Sequence, residues 1–391
     1  METDAYGAQP VYLDYNATAP MRPEALKATF DALHAVGNAS SIHRHGRDAA
    51  NRVDEARRQL ADLLNCSPGE LIFTSGATEA NNIALQAAYA QRGLIITSAV
   101  EHPAVLETVR ALAGDASDAL ITLSVNGEGQ IDADVYTATV QQHDVALVSI
   151  MLANNETGVI TDIAPMIDAA HAAGALVHTD ATQYIGRLPL DLSDLGVDLL
   201  SLSAHKFGGP QGVGALFIRR GAPIPQRPLV FGGGHERGWR AGTLNVPGIV
   251  GLGAAAEAAH RQLDDEAPQI AKLRDLLEGE LLARLPGSHV NGAGSPRLPG
   301  VTSITFPGTP ADALLASMPD VAASDGSACS TGAPSPSHVL LAMGLSREAA
   351  DSTIRFSLGY ATTEQEIRRA TDATVRAVTH VQAVMEATAG P

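Results

Sequence analysis

Few side chains in this sequence stand where covalent chemistry is within reach. Lys206 lies in SAHKFGGPQGVGAL, beside His205 and ahead of a glycine-rich turn. A lysine in apolar, Gly-rich surroundings loses its proton more easily than a solvated one and can act as an amine nucleophile. Twenty-six residues earlier, Asp180 falls in HTDATQ at the end of a predicted buried strand, where the open edge of a parallel sheet puts ligand-binding groups. A carboxylate there can keep the pyridinium nitrogen of a pyridoxal cofactor protonated, so that the ring accepts electrons from a carbanion. The pair therefore predicts pyridoxal chemistry. Taken singly, either residue has an ordinary explanation, since most lysines are surface ion-pair partners and most strand-end Asp residues cap the next element.

LIFTSGATEANN adds a third group. A strand runs through Ser75-Gly76-Ala77-Thr78 into a helical pattern with Glu79 in its first turn. Helix N-terminal amides and the Thr78 hydroxyl could make this a phosphate cradle, although a plain helix cap is the commoner explanation of such a junction. A fourth group is Cys329, set among Ser324, Gly326, Ser327, Ser330, Thr331, Gly332, Pro334 and Pro336. Turn-forming neighbours favour an exposed, reactive thiol on a loop over a small buried apolar one.

These groups need a framework, and the pattern supplies one. Strands are predicted at LIFTS, GLIITS, ALITLSV, VALVSIML and ALVHTD, alternating with amphipathic stretches, which reads as βαβ units around a mostly parallel sheet. Ala49, Val53, Ala56, Leu60, Leu63 and Leu64 recur at helical spacing ahead of the first strand. Helical spacing returns between Val246 and Leu285, a long connector into a second domain with a boundary near residue 255. Beyond it come strand-like ITF and TIRFSL and a C-terminal helix from about Thr363, the mixed order of a small α+β domain.

With 391 residues, 45% hydrophobic and 18% charged, the chain can bury a deep pocket. A formal net charge of -17 disfavours direct binding to nucleic-acid backbones. Two cysteines, Cys66 and Cys329, are no disulfide framework and suit a reducing compartment. METDAYGAQP lacks the features of a signal peptide and no run of apolar residues is long enough to span a membrane, so a cytoplasmic protein is expected.

The stretches YLDYNATAP, FTSGATEANN, EHPAVL, SIMLANNETGVI, VHTDATQ, SLSAHKFGGPQGVGAL, GGGHERGWRAGTLN, GSACSTG and IRFSLG follow one another along nearly the whole chain. In them the sequence resembles the cysteine desulfurases of the NifS/IscS type, class V aminotransferases within the fold-type I pyridoxal-phosphate enzymes. The resemblance implies an α/β fold. Its large cofactor domain, residues 16–255, would hold a mostly parallel seven-stranded sheet, and a smaller α+β domain, residues 1–15 and 256–391, would carry the Cys329 loop. It also implies pyridoxal 5'-phosphate as cofactor, with Lys206 as its Schiff-base amine, Asp180 on the pyridine nitrogen and Gln183 on the ring hydroxyl. His102 would stack on the ring and move protons, while Ala77, Thr78, Ser203 and His205 would hold the phosphate.

By the same resemblance Thr243 would reach the phosphate of a neighbouring subunit, which implies a homodimer. Asn155, beside the cofactor, and Arg355 would hold the carboxylate of L-cysteine, a role that the planar fork of Arg suits. Cys329 would take the sulfur as a persulfide, leaving L-alanine, and pass it to an acceptor or scaffold protein. Iron–sulfur assembly, tRNA thiolation and DNA sulfur modification all stay open as destinations. Asp325 and STGAPSPSH depart from the resembled pattern around the Cys. An aminotransferase or selenocysteine lyase would share Lys206 and Asp180 but need no mobile thiol, and a bare scaffold would have no use for Lys206, Asp180, His102 and Gln183 together.

The remaining conspicuous residues read as structural. Cys66 has no matching role and is expected to pack. His43 and His45 lack an accompanying ligand cluster, so no metal is expected. His235, Arg237 and Arg240 are expected to shape the loop of Thr243, with Trp239 packing there, and Gly232 to Gly234 lack the strand-to-helix context of a dinucleotide fingerprint.

Overall fold

The computed structural model describes residues 10–89, 93–114, 119–326 and 336–389. Its strands, in chain order, are β1 (Val11–Tyr12), β2 (Leu71–Thr74), β3 (Leu94–Ser98), β4 (Leu120–Leu123), β5 (Val145–Ser149), β6 (Leu176–Asp180), β7 (Leu199–Ser203), β8 (Gly214–Ile218), β9 (His289–Val290), β10 (Val301–Thr305), β11 (Val321–Ala322) and β12 (Thr353–Ser357). A seven-stranded sheet runs in the order β2-β8-β7-β6-β5-β3-β4. Strand β8 is antiparallel to both neighbours, and the remaining pairs are parallel.

Alternation along these strands explains why they read as unbroken apolar runs. Ile72, Ile95, Leu147, Leu176, Leu199 and Leu216 pack into one cluster with the helices Ala77–Tyr89 and Pro103–Ala113. Their sequence neighbours Phe73, Ile96, Val148, Val177, Leu200 and Phe217 pack into another, against Arg44–Leu64, Ala164–Ala172 and the start of Val246–Arg284. Successive side chains point to opposite faces, so a sheet covered on both sides needs apolar residues at every position.

The five strands expected from the sequence are β2 to β6. Strands β7 and β8 were not expected, because LLSLS and GALFI mix apolar with small residues and flank the motif around Lys206. The expected helices also form: Arg44–Leu64 precedes the first sheet strand, and Glu364–Ala389 ends the described chain.

Apart from the seven-stranded sheet and the apolar layers on its two faces, a second apolar cluster joins Val11 and Leu13 to Leu277, Leu281, Ile304, Phe306, Ile354, Phe356 and Ile367. It sits on the three-stranded antiparallel sheet β12-β10-β9 and on the pairing of β1 with β11. The helix Val246–Arg284, 39 residues long, belongs to both clusters: Ile249, Leu252 and Ala256 face the first, Leu277 and Leu281 the second. Among the described residues no helix is long and apolar enough to cross a membrane.

Close approach at Gly253 lets this helix lie against Arg44–Leu64. A Cβ there would stand 2.5 Å from the Ala56 Cα and 2.6 Å from its Cβ. Alanine is the better helix former by about 0.8–1.0 kcal/mol, but overpacking a filled core costs about 1–3 kcal/mol. Gly253→Ala is therefore expected to lower the unfolding free energy by up to about 2 kcal/mol. A urea midpoint equal to or above that of the unaltered chain would contradict the close packing.

Candidate active site

The parallel strands deliver their carboxyl ends to one edge of the sheet, and a cavity of about 510 Å³ opens there. After β2 it is lined by Ser75, Gly76, Ala77 and Thr78, after β3 by His102, and after β5 by Met151, Ala153 and Asn155. Asp180 at the end of β6, with Thr182 and Gln183, forms another wall, and Ser203, His205 and Lys206 follow β7. Arg355, on β12, reaches in from the second cluster. Of the other expected residues, Thr243 is exposed and does not border the cavity, and Cys329 lies outside the described residues.

Asp180 is held rigidly. Asn81 Nδ2 donates to its Oδ2 at 2.8 Å and the Thr182 amide to its Oδ1 at 3.0 Å. Behind it on the same strand face, His178 is bonded through both ring nitrogens, to Ser149 Oγ at 2.9 Å and Ser201 Oγ at 3.0 Å. Burial pushes His178 down to about 4, against the opposing pull of Asp180, so the ring is neutral at physiological pH. A neutral neighbour leaves the Asp180 carboxylate charge for whatever occupies the cavity.

Lys206 Nζ donates to the carbonyl oxygens of Asn16 at 2.6 Å and Ala17 at 2.9 Å. Asn16 went unremarked in the sequence except as part of YLDYNATAP, yet it is a hub. Its carbonyl also accepts from Gln183 Nε2 at 3.1 Å, its Nδ2 donates to the Asn155 carbonyl at 2.9 Å, and its Oδ1 accepts from Arg187. Three other stretches of chain, around Asn155, Gln183–Arg187 and Lys206, thus meet at one buried asparagine. Gln183 Oε1, also buried, has no partner among the described residues.

Each histidine at the cavity is set by its surroundings. His102 caps the helix Pro103–Ala113, with Nδ1 accepting from the Ala104 amide at 3.0 Å. Burial lowers its pKa, so the neutral ring carries its proton on Nε2. His205 is pushed down to about 4 by burial and by the adjacent Lys206 charge, and its Nδ1 lies 3.1 Å from Thr18 Oγ1.

Arg355 is buried and only partly engaged. Its Nη2 donates to Asp14 Oδ1 at 2.8 Å and its Nη1 to the Asn155 carbonyl at 3.0 Å, while Nε has no partner among the described residues. The loop carrying Thr243 is tied to the strand leading into the Ser75–Thr78 turn. Buried Glu236 accepts from Arg57 at 2.6 and 3.1 Å and from the Phe73 amide at 2.8 Å, Arg237 donates to the Leu71 carbonyl, and Arg240 to Glu79 at 2.9 Å. Trp239 packs at the edge of the Ile72 cluster. Of the other residues expected to be structural, His43 caps the helix Arg44–Leu64, and burial drives the Cys66 thiol up to about 12.

Comparison with known proteins identifies the family. Residues 11–370 match the family described as Aminotransferase class-V. A cysteine desulfurase from Frankia sp. (strain EuIK1) is 42% identical over 97% of this chain and 93% of that protein. Among solved structures, a NifS-like protein from Rickettsia africae ESF-5 superposes with a TM-score of 0.86 at 32% identity, covering 95% of this chain and 100% of that one. SspA in complex with cysteine superposes with a TM-score of 0.78, also at 32% identity, over 90% of this chain and 99% of that one.

Glu101, next to His102, escaped the sequence reading and gives the site a pH signature. It is fully buried, and its Oε1 accepts from the Met151 amide at 2.7 Å and from Ser98 Oγ at 2.9 Å. Its other oxygen has no partner among the described residues. Burial raises the carboxyl from 4.5 to about 8, the Met151 amide pulling it back and Asp180 adding to the rise. Within that window the folded chain keeps a proton that the unfolded chain has lost, so this group's contribution to stability falls as pH rises. Glu101→Gln is expected to flatten the decline of the urea midpoint between those two values. Equal slopes in the two proteins would contradict a buried, protonated Glu101.

Proposed function

The chain belongs to the class-V aminotransferase family and is a cysteine desulfurase, and we propose that its cavity works by holding pyridoxal phosphate, taking in L-cysteine and passing the sulfur to Cys329. One observation carries this reading: Lys206, Asp180, His102, Gln183 and Arg355, distant in sequence, border a single cavity of about 510 Å³.

The residues fit the cofactor. Asp180, fixed by Asn81 and the Thr182 amide, would hold the protonated pyridine nitrogen. The unpartnered Gln183 Oε1 is an acceptor suited to the ring hydroxyl. Ala77 and Thr78 begin the helix Ala77–Tyr89, whose first amides and hydroxyl suit a phosphate, with Ser203 and His205 across from them. His102 would lie against the ring face. Bound pyridoxal phosphate supplies an aldehyde that condenses with amines and a ring that takes up an electron pair.

The chain's own residues would do the rest. Arg355, through Nε and its Nη atoms, would grip the substrate carboxylate together with Asn155, displacing the Asp14 contact. Lys206 Nζ would take the proton from the substrate Cα, and His102 Nε2–H is placed to give one up. The Cys329 thiolate would then attack the substrate sulfur. As the new S–S bond forms, the electron pair of the broken Cβ–S bond stays on carbon and is protonated, so the products are L-alanine and a Cys329 persulfide.

A homodimer is supported by apolar exposure between residues 26 and 42, where Phe30 is 59% and Ile42 90% exposed, with Leu26, Leu33 and Val36 also open. Thr243, exposed on its anchored loop, would reach the partner's cofactor. Residues 16–255 would form the cofactor domain, with 1–15 and 256–391 as the small domain, in keeping with the two apolar clusters. The sulfur would go to an acceptor or scaffold protein and not directly to nucleic acid, given the net charge of -17.

Lys206→Ala is expected to abolish the visible absorbance of the cofactor-loaded protein and all alanine formation. Cys329→Ser should keep that absorbance but bind no sulfur, as read by thiol labelling and mass. Full alanine turnover by Cys329→Ser would end the desulfurase mechanism. Phe30→Asp is expected to shift sedimentation toward the monomer, and an unchanged dimer would remove this face from the interface.

A further inference from the structure

Glu156 is a buried carboxylate, 5% exposed, that the mechanism above does not use. It follows Asn155 directly, in SIMLANNETGVI. Its Oε2 accepts from Ser337 Oγ, and a Cβ placed on Gly326 would stand 2.8 Å from the same oxygen. Gly326 has φ +82°, so a side chain there would be strained as well as crowded. Gly326 and Ser337 are described residues on either side of the stretch 327–335 that contains Cys329 and lies outside the described residues.

Both contacts are themselves anchored. Ser337 caps the helix His338–Ala342, its Oγ accepting from the Leu340 amide at 3.1 Å. On the other side the Gly326 amide donates to Ser324 Oγ at 3.1 Å, and Ser324 exchanges backbone hydrogen bonds of 2.6 and 3.2 Å with Arg355. Gly326 and Ser337 are eleven positions apart in the sequence, yet they converge on one carboxylate oxygen. The charged groups facing Glu156 are Arg355 and Asp325. Burial raises its carboxyl to about 7, while the Ser337 hydroxyl and Arg355 pull it down and Asp325 adds to the rise.

We propose that Glu156 is a positioning residue for sulfur transfer: by hydrogen-bonding Ser337 and packing closely against Gly326 at the same buried oxygen, it fixes the two points from which the Cys329 segment departs. The proposal rests on the reading that Cys329 receives the sulfur. Arg355, whose backbone pairs with Ser324, connects the same anchor to the grip on the substrate carboxylate. Loss of the anchor should therefore slow arrival of sulfur at Cys329 without emptying the cavity of cofactor.

The test uses the cofactor-loaded full chain, with alanine release and protein-bound sulfur both measured on L-cysteine. Glu156→Ala is expected to keep the visible absorbance and to lower kcat by about tenfold or more, with KM changed by less than about twofold. Glu156→Gln, which keeps an oxygen for the Ser337 hydroxyl, should recover kcat to within about threefold of the unaltered chain. Ser337→Ala should also lower kcat, and the double variant should fall no further than the worse single one, because both remove one contact.

An unchanged kcat in Glu156→Ala, a rise in KM alone, or a Gln variant as impaired as Ala would each overturn the proposal. If Glu156→Ala does not fold, Ser337→Ala decides by the same measurements, and a normal kcat there overturns it. The unaltered chain and Cys329→Ser separate the two levels of inference. No alanine from the unaltered chain sinks the desulfurase reading itself, whereas turnover lost in Cys329→Ser but kept in Glu156→Ala sinks only the role of Glu156.

Discussion

A parallel sheet covered on both faces leaves only its strand ends for chemistry, and this constraint organises the molecule. Each strand is buried above and below, so β5, β6 and β7 open on apolar side chains, and the polar residues inside β6 and β7, His178 and Ser201, hydrogen-bond each other. Polar groups then appear together at the carboxyl edge, where Asp180, Ser203 and the turns after them face a shared cavity. Antiparallel β8 does not disturb this, since it sits between β2 and β7 and leaves both pointing the same way. The turn at Ser75–Thr78 is thereby brought beside Ser203 and His205.

At the cavity and in the layer behind its wall, polarity is managed by neutralising some groups so that others keep their charge. His178 and His205 are held neutral by burial, and Glu101 holds its proton well above the ordinary carboxylate range. Around them Asp180, Lys206 and Arg355 are each engaged by a small number of well-aligned partners. Arg355 already pairs with Asp14, so any carboxylate entering the cavity would compete with an internal one. Such competition admits a ligand that offers two oxygens in the plane of the guanidinium and disfavours one that offers a single acceptor.

Much of this was legible in the sequence, for identifiable reasons. Lys206, Asp180 and Thr78 stand in short segments whose local pattern declares strand, turn or helix start, so residue type and context could be read together. Asn16 was not, because its role comes from partners 139 and 190 residues away and from its backbone carbonyl, which carries no side-chain signature. Glu236 escaped for the same reason, its partner Arg57 lying 179 residues back in the chain. Glu101 and Glu156 sat inside recognised stretches, but only burial turns a common surface residue into a special one. Strands β7 and β8 were hidden by their small residues, although the seven-strand count implied by the resemblance agrees with the sheet.

The helix Val246–Arg284 extends about 58 Å at 1.5 Å rise per residue and supplies a wall to both apolar clusters. A sequence boundary drawn near residue 255 therefore passes through a continuous rod. Neither half could be excised there without stripping hydrophobic cover from the other, so limited proteolysis should find no severable joint at that place. The two cores share one fate on heating, and cooperativity between them is written into a single element.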